Sequence, residues 1–187
     1  MPKGGIVVAR DAMFLRKYVS ENNSFDLEII PKLSVSDEVI SSTAIAEFIR
    51  RGDMYKAAEM LGRNYEIEGI VQKGKSLGNR WGVPTVNVLP DCKMAVPAFG
   101  VYFSTIDIEG KSYKSITNIG VNPTTDFDEG IVKTETFILD YEGNAYNKSV
   151  RIQLLEFIRP EKKFESLEAL YNQIENDIEN RKKCQKY

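Results

Sequence analysis

The chain has 187 residues, 42% of them apolar, and a formal net charge of −2. That gives room for one or two small domains with ordinary cores, no electrostatic case for nucleic-acid binding, and no apolar run of membrane-spanning length. The lack of any histidine excludes Ser-His-Asp and Cys-His catalysis and His-ligated zinc, and the two cysteines, Cys92 and Cys184, make neither a disulfide framework nor a paired metal site, which fits a reducing cytoplasm.

The first third alternates strand and helix. Residues 5–9 read as a strand; with the preceding glycine they form an apolar stretch too short for a signal-peptide core, followed at once by Arg10 and Asp11. A helix is predicted over 11–22, a strand over 26–30, and helices over 41–51 and 53–61, the last capped by Asp53 and stopped by Gly62. This pattern suggests a piece of an α/β sheet domain over residues 1–62, ahead of a second domain over 63–187.

The stretch 69–87 is the most informative. Residues 69–76, Gly-Ile-Val-Gln-Lys-Gly-Lys-Ser, match the P-loop pattern G-x-x-x-x-G-K-S/T letter for letter. Alternation of Tyr65, Ile67 and Val71 supplies the preceding strand, but Gly78, Gly82 and Pro84 deny the helix that must start at the Lys-Ser. Gly69 inside the strand fits a bulge or a close backbone approach better than a P-loop opening. Residues 74–87 read instead as a Gly-rich flap leading into a strand. Gly74, Gly78 and Gly82 let backbone approach a ligand, Lys75 and Arg80 bring positive charge for phosphate oxygens, and Thr85 and Asn87 point to one face as hard oxygen donors suited to Mg²⁺. Spacing alone leaves a plain hairpin loop equally open.

Further strands are predicted at 65–73, 85–89, 100–108, 112–119, 131–140 and 146–158, with turns at Glu109-Gly110 and Glu142-Gly143-Asn144. In 131–140, Glu135 shares a face with Phe137 and Leu139, opposite Thr134, Thr136 and Ile138. A carboxylate among apolar neighbours is costly unless paired or neutralised, which marks Glu135 as an acid–base candidate; a solvated position near a strand end is the alternative. Arg159 and Glu161 lie in a charged segment that reads equally as a solvated connector. The last helix, 166–182, carries Leu167, Leu170, Ile174 and Ile178 as a stripe expected to pack on the sheet. Six short strands at this spacing suggest a small antiparallel barrel.

Gly78-Asn-Arg-Trp-Gly-Val-Pro-Thr-Val-Asn87 resembles the G-R-x-L-G-F-P-T-A-N signature of riboflavin kinases. Gly100-Val-Tyr102, Asn118-Ile-Gly120 with Pro123-Thr124, Thr134-Glu-Thr136 and Phe157-Ile-Arg-Pro-Glu-Lys-Lys-Phe164 follow in the same family's order, so the resemblance covers about residues 65–187. It implies a mainly β fold, a six-stranded antiparallel, Greek-key-like barrel with a C-terminal helix, and ATP-dependent phosphorylation of riboflavin to FMN. It further implies Thr85 and Asn87 at Mg²⁺ and the ATP phosphates, under a flap with Gly74, Lys75, Gly78 and Arg80. Glu135 would be the catalytic base, and Arg159 and Glu161 would lie on the flavin side. Asn79, Trp81, Val83 and Val86 depart from the signature, and Phe137 stands where many relatives have histidine, so Phe137 reads as packing.

Val39-Ile-Ser-Ser-Thr-Ala-Ile-Ala46 resembles the element closing the adenylyltransferase module of bifunctional bacterial FAD synthetases, with Ala46 in place of that family's arginine. The His-x-Gly-His element of that module has no counterpart, so FMN adenylylation is expected to be absent. Two rival readings remain: a non-catalytic flavin- or nucleotide-binding regulatory protein on the same barrel, and self-association through residues 1–62, whose half-domain would expose apolar surface.

Overall fold

The computed structural model describes residues 12–22, 25–28, 31–72, 85–90, 94–121 and 132–185. The chain divides into two compact units, 1–39 and 40–187. In the first, α1 (Ala12–Asn22) and a two-stranded hairpin, β1 (Ser34–Val35) and β2 (Glu38–Val39), are the regular elements. The hairpin turns through Ser36 and Asp37, both at positive φ, as a two-residue hairpin loop requires. The hairpin has no counterpart in the sequence reading. The strand predicted at 26–30 is not found over 26–28, where Asp26 and Glu28 flank the lone apolar Leu27. Residues 29–30 and the strand predicted at 5–9 lie outside the described residues.

The second unit begins with α2 (Ser42–Arg51) and α3 (Met54–Leu61). Ser41 caps α2 by accepting from the Ala44 N–H, and Asp53 caps α3 by accepting from the Lys56 N–H at 3.1 Å. Gly52 and Gly62 end the two helices in the left-handed region. Six strands follow: β3 (Tyr65–Ile70), β4 (Thr85–Val88), β5 (Gly100–Ile108), β6 (Lys111–Val121), β7 (Val132–Ile138) and β8 (Ser149–Pro160). The chain closes with α4 (Leu167–Lys183), capped by Ser166.

The sheet order is β3-β8-β5-β6-β7-β4, antiparallel throughout. β5, β6 and β7 form a meander and β8 returns beside β5, which is a Greek-key path. Glu109 and Gly110, both at positive φ, make the β5–β6 turn. The two edge strands meet at an isolated bridge, where the Gln72 N–H donates to the Asn87 carbonyl at 2.8 Å. The mainly β barrel with a C-terminal helix is therefore the observed fold, its β3–β4 seam joined by a bridge rather than a ladder.

One face of the sheet encloses the main core. Ile67, Val86, Val88, Tyr102, Ile106, Ile119, Ile138, Ile152 and Leu154 pack there with Phe48, Ile49, Met54, Ala57 and Met60 from α2 and α3. The boundary read from sequence at 62/63 thus runs through a shared core, whereas the structural division falls at Val39/Ile40. Inside the barrel, Ser104, Ser115, Thr117 and Thr136 link hydroxyl to hydroxyl at 2.8–2.9 Å. Satisfying one another lets these polar groups be buried. The outer face carries a smaller apolar cluster of Val101, Phe103, Ile116 and Leu139, covered by Ile178 of α4.

Gly69 makes the close approach expected of it, because a Cβ there would meet Val88 Cγ1 at 2.6 Å and the seam would have to open. Gly69→Val should therefore cost about 1–3 kcal/mol through overpacking. Urea unfolding followed by circular dichroism measures it, and wild-type stability in the variant would disprove the tight seam.

Candidate functional site

Strand register assembles the site. Asn87 on β4 pairs with Glu135 on β7, and Glu135 pairs on its other side with Asn118 on β6. Asn118 pairs with Val101 on β5, and Val101 with Arg159 on β8. Directly opposed residues share a sheet face, so this row sets four polar side chains on the outer face across five strands. Thr85, two residues from Asn87 and opposite Phe137, belongs to the same face.

β8 reaches this register through irregularity. Its pairing with β5 shifts between Val101 and Tyr102, passing over Ile158, and again between Phe103 and Ser104, passing over Leu155. A bulge re-aims the residues beyond it. Here it sets Arg159 opposite Val101 while Phe157 turns into the barrel and meets the Tyr102 ring edge-on at 5.2 Å. Gly100, at φ +151°, is where the strands approach too closely for a side chain, since a Cβ would collide with the Arg159 carbonyl.

Between the outer face and α4 lies a cavity of about 340 Å³. Val101, Ile116 and Phe137 form its floor, and Leu170, Tyr171 and Ile174 its roof. Glu135, Asn118, Arg159, Glu161, Lys162 and Asp177 stand at its polar positions. The stripe on α4 was expected to pack on the sheet along its length. Ile178 does, but Leu170 and Ile174 line the cavity and Leu167 remains 66% exposed. The outer face opposite them, with Val101, Ile116 and Phe137 beside the polar row, stands off from the helix and leaves the cavity between.

Buried polar contacts hold the far half of α4. Asp177, 4% exposed, accepts from Arg159 Nη2 at 2.7 Å and Nε at 3.1 Å, and from Gln173 Nε2 at 2.9 Å. One turn on, fully buried Arg181 donates through Nη2 and Nε to the Ser104 carbonyl at 3.1 and 3.3 Å and lies over the Phe103 ring. Removing one partner of a buried ion pair leaves an uncompensated charge at a cost of about 3–5 kcal/mol. In the loop before α4, Glu161 accepts from Asn118 Nδ2 at 3.0 Å. It sits against Gly120, where a Cβ would overlap the carboxylate.

Burial raises the Glu135 carboxyl above its ordinary value of 4.5. Desolvation is the cause, and the guanidinium of the row, Arg159, is engaged by Asp177. A desolvated carboxylate beside a cavity is a stronger proton acceptor than a solvated one.

Of the residues singled out in the sequence, Thr85, Asn87, Glu135, Arg159 and Glu161 fall on one face or its adjoining loop. Gly74, Lys75, Gly78 and Arg80 lie outside the described residues. Asn118 and Asp177 were not singled out as site residues. Asn118 opens the Asn118-Ile-Gly120 motif, and Asp177 sets a charge in line with Ile174 and Ile178, the sequence signal that marks it. Among the described residues no cluster of three or more Cys, Asp or Glu could hold a metal. The donor set at hand is neutral: the Thr85 hydroxyl and the Asn87 amide oxygen, two apart on one strand beside Glu135. Such donors fit Mg²⁺, which keeps most of its positions for water and phosphate.

Comparison with known proteins places the chain. Residues 61–185 match the family model of riboflavin kinase, the flavokinase family. A bifunctional riboflavin kinase/FMN adenylyltransferase of Pseudomonas fluorescens is 33% identical over 87% of this chain and 51% of its own length. An RNA-binding riboflavin kinase of Bacillus subtilis is 38% identical over 60% of this chain and 47% of its own length. Among solved structures, one described as a macrolide-efflux protein from Streptococcus pneumoniae superposes with a TM-score of 0.78 at 30% identity, covering 88% of this chain and 54% of that one. The chain spans about half the length of the curated relatives it matches. Among the described residues no helix is long and apolar enough to cross a membrane.

The raised carboxyl has a consequence for stability. The folded protein holds the Glu135 proton more tightly than the unfolded chain does, which stabilises the fold below the ordinary glutamate range. That contribution is lost as pH rises through the raised value. Glu135→Gln, neutral at every pH, should therefore melt above wild type at neutral pH, with the gap closing as pH falls through the raised value towards the ordinary glutamate value. Thermal melts across that range test this, and a gap independent of pH would refute it.

Proposed function

The chain belongs to the riboflavin kinase family, and on that premise we propose that it transfers the γ-phosphoryl group of ATP to the 5′-hydroxyl of riboflavin, giving FMN. One observation carries the reading: the row that aligns Asn87, Glu135, Asn118 and Arg159 borders a largely apolar cavity. Its volume of about 340 Å³ falls within the usual range of small-ligand sites. Phe137, Tyr171 and Ile174 suit the flat face of an isoalloxazine ring, and the ribityl chain would lead its terminal hydroxyl to Glu135.

In this reading Glu135 orients the 5′-hydroxyl and accepts its proton as the oxygen bonds to the γ-phosphorus and the bond from that phosphorus to the β–γ bridging oxygen breaks. Thr85 and Asn87 would hold Mg²⁺, which when bound neutralises phosphate charge. Lys75 and Arg80, with Gly74 and Gly78, would close over the ATP phosphates. Arg159 would meet the flavin side of the cavity, with Glu161 and Asn118 fixing its outer edge. The choice of Mg²⁺ among divalent cations is part of this proposal.

We propose further that this chain makes no FAD, since it has no histidine to supply a His-x-Gly-His element. Its partners would be small molecules in the cytoplasm, as a net charge of −2 draws no nucleic acid. Self-association through residues 1–62 would be driven by Met13, Phe14, Phe25 and Leu33, each at least 50% exposed. Gel-shift titration with RNA and sedimentation over a concentration series address these points, a shifted band or a single monomeric species counting against them.

An assay with riboflavin, ATP and Mg²⁺ that follows FMN and FAD separately tests the main reading. FMN alone is expected. Absence of FMN would favour the regulatory alternative, and appreciable FAD would overturn the single activity. Glu135→Gln should lower kcat by about 10²–10⁴-fold while riboflavin binding holds within about twofold. The acid limb of the wild-type kcat profile should lie above the ordinary glutamate value, because activity needs Glu135 ionised and burial raises its pKa. A limb at or below that value would remove Glu135 as the base.

A further inference from the structure

We propose that Asp177 is a positioning residue for riboflavin, acting through Arg159. The proposal rests on the kinase reading above and adds to it a residue on α4 that the sequence motifs do not include. Asp177 ties β8 to its own helix. Oδ2 takes both donors of one Arg159 edge, Nη2 at 2.7 Å and Nε at 3.1 Å, while Oδ1 accepts from Gln173 one turn back at 2.9 Å and more distantly from Arg159 Nε at 3.5 Å. The guanidinium is thereby clamped side-on against α4. Among the described residues its other terminal nitrogen, Nη1, makes one long contact, to the Pro160 carbonyl at 3.5 Å. That edge is the one available to an acceptor on a ring or ribityl chain in the cavity that Arg159 lines.

The second carboxylate near Arg159 does not compete for it, because Glu161 is engaged by Asn118 and seated against Gly120. Nor does the pair serve as mere adhesion. A buried ion pair of this kind holds a helix no better than apolar side chains of similar volume, and α4 already has Ile178 on the outer-face cluster and Arg181 on the Ser104 carbonyl. What an apolar pair could not do is fix the direction of a guanidinium fork.

The test is a double-mutant cycle on riboflavin binding, read by quenching of flavin fluorescence without ATP, together with steady-state kinetics. Asp177→Asn should weaken riboflavin binding and raise its KM about tenfold, with KM for ATP within about twofold and kcat within about threefold. In an Arg159→Gln background the same change should add less than about a twofold loss, because the residue it acts through is gone. Wild-type riboflavin affinity in Asp177→Asn, a parallel rise in KM for ATP, or losses that multiply in the double variant would each overturn the proposal. Should Asp177→Asn fail to fold, Gln173→Ala releases Oδ1 and keeps the ion pair. It should weaken riboflavin binding about two- to threefold, and unchanged binding would overturn the proposal. A wild-type protein that makes no FMN and binds no riboflavin defeats the kinase reading itself; active wild type with unaffected variants defeats only the role of Asp177.

Discussion

A slip of one residue in the β4–β7 or β6–β7 ladder would turn Glu135 into the barrel and carry Thr134 and Thr136 out to the cavity. Side chains alternate across a sheet, so the pairings Asn87 with Glu135 and Glu135 with Asn118 fix which groups meet on the outer face. The interior holds the register from the other side. Thr136 belongs to a chain of mutually bonded hydroxyls with Thr117, Ser104 and Ser115, and Ile138 and Val88 sit in the main core. Exchanging these for a carboxylate and a phenyl ring would bury an unpaired charge and break the hydroxyl chain together. The outer face is thus specified largely by what the inner face cannot accept.

The same division gives α4 two parts with different work. Beyond Asp177 the helix is fastened by Ile178 on the outer cluster, Arg181 on the Ser104 carbonyl and the Cys184 carbonyl accepting from Lys114. Before it, Leu170, Tyr171 and Ile174 span a cavity and contact no continuous core. A helix held at one end is a suitable roof, because the unfilled half can adjust to a ligand while the fastened half keeps its place over the row. Arg159 joins the two parts: it belongs to the row by register and to the helix by charge.

Much of this was legible in the sequence, where local chemistry sufficed. Asp53 and Gly62 bracket α3, Glu109-Gly110 turns β5 into β6, and alternation placed Glu135 and Phe137 opposite Thr134 and Thr136. The misses are cases of long-range packing. The helix end at Gly62 is local, whereas Phe48, Ile49 and Met60 complete a core whose other half lies beyond Tyr65. The α4 stripe looked like a packing face because periodicity reports which residues are apolar, and not whether the surface opposite is filled. Asn118 and Asp177 were overlooked for a related reason. One gains its place from the strands on either side and the other from an arginine eighteen residues away.

The letters of a P-loop at 69–76 gain a physical meaning from their two ends. β3 carries the chain to Gln72, whose N–H donates to Asn87, and β4 begins again at Thr85. Gln72 and β4 therefore meet at one point on the seam, beside the pairing of Asn87 with Glu135. In a P-loop the strand instead hands the phosphates to a helix leading away from the sheet, with the neighbouring strand parallel. Here the neighbours are antiparallel, and the strand that follows carries oxygen donors of its own, Thr85 and Asn87. Glycine, lysine and serine at that spacing are compatible with either geometry. Where the chain re-enters the sheet is what separates them, and here it re-enters at Thr85, two residues from the Asn87 that pairs with Glu135.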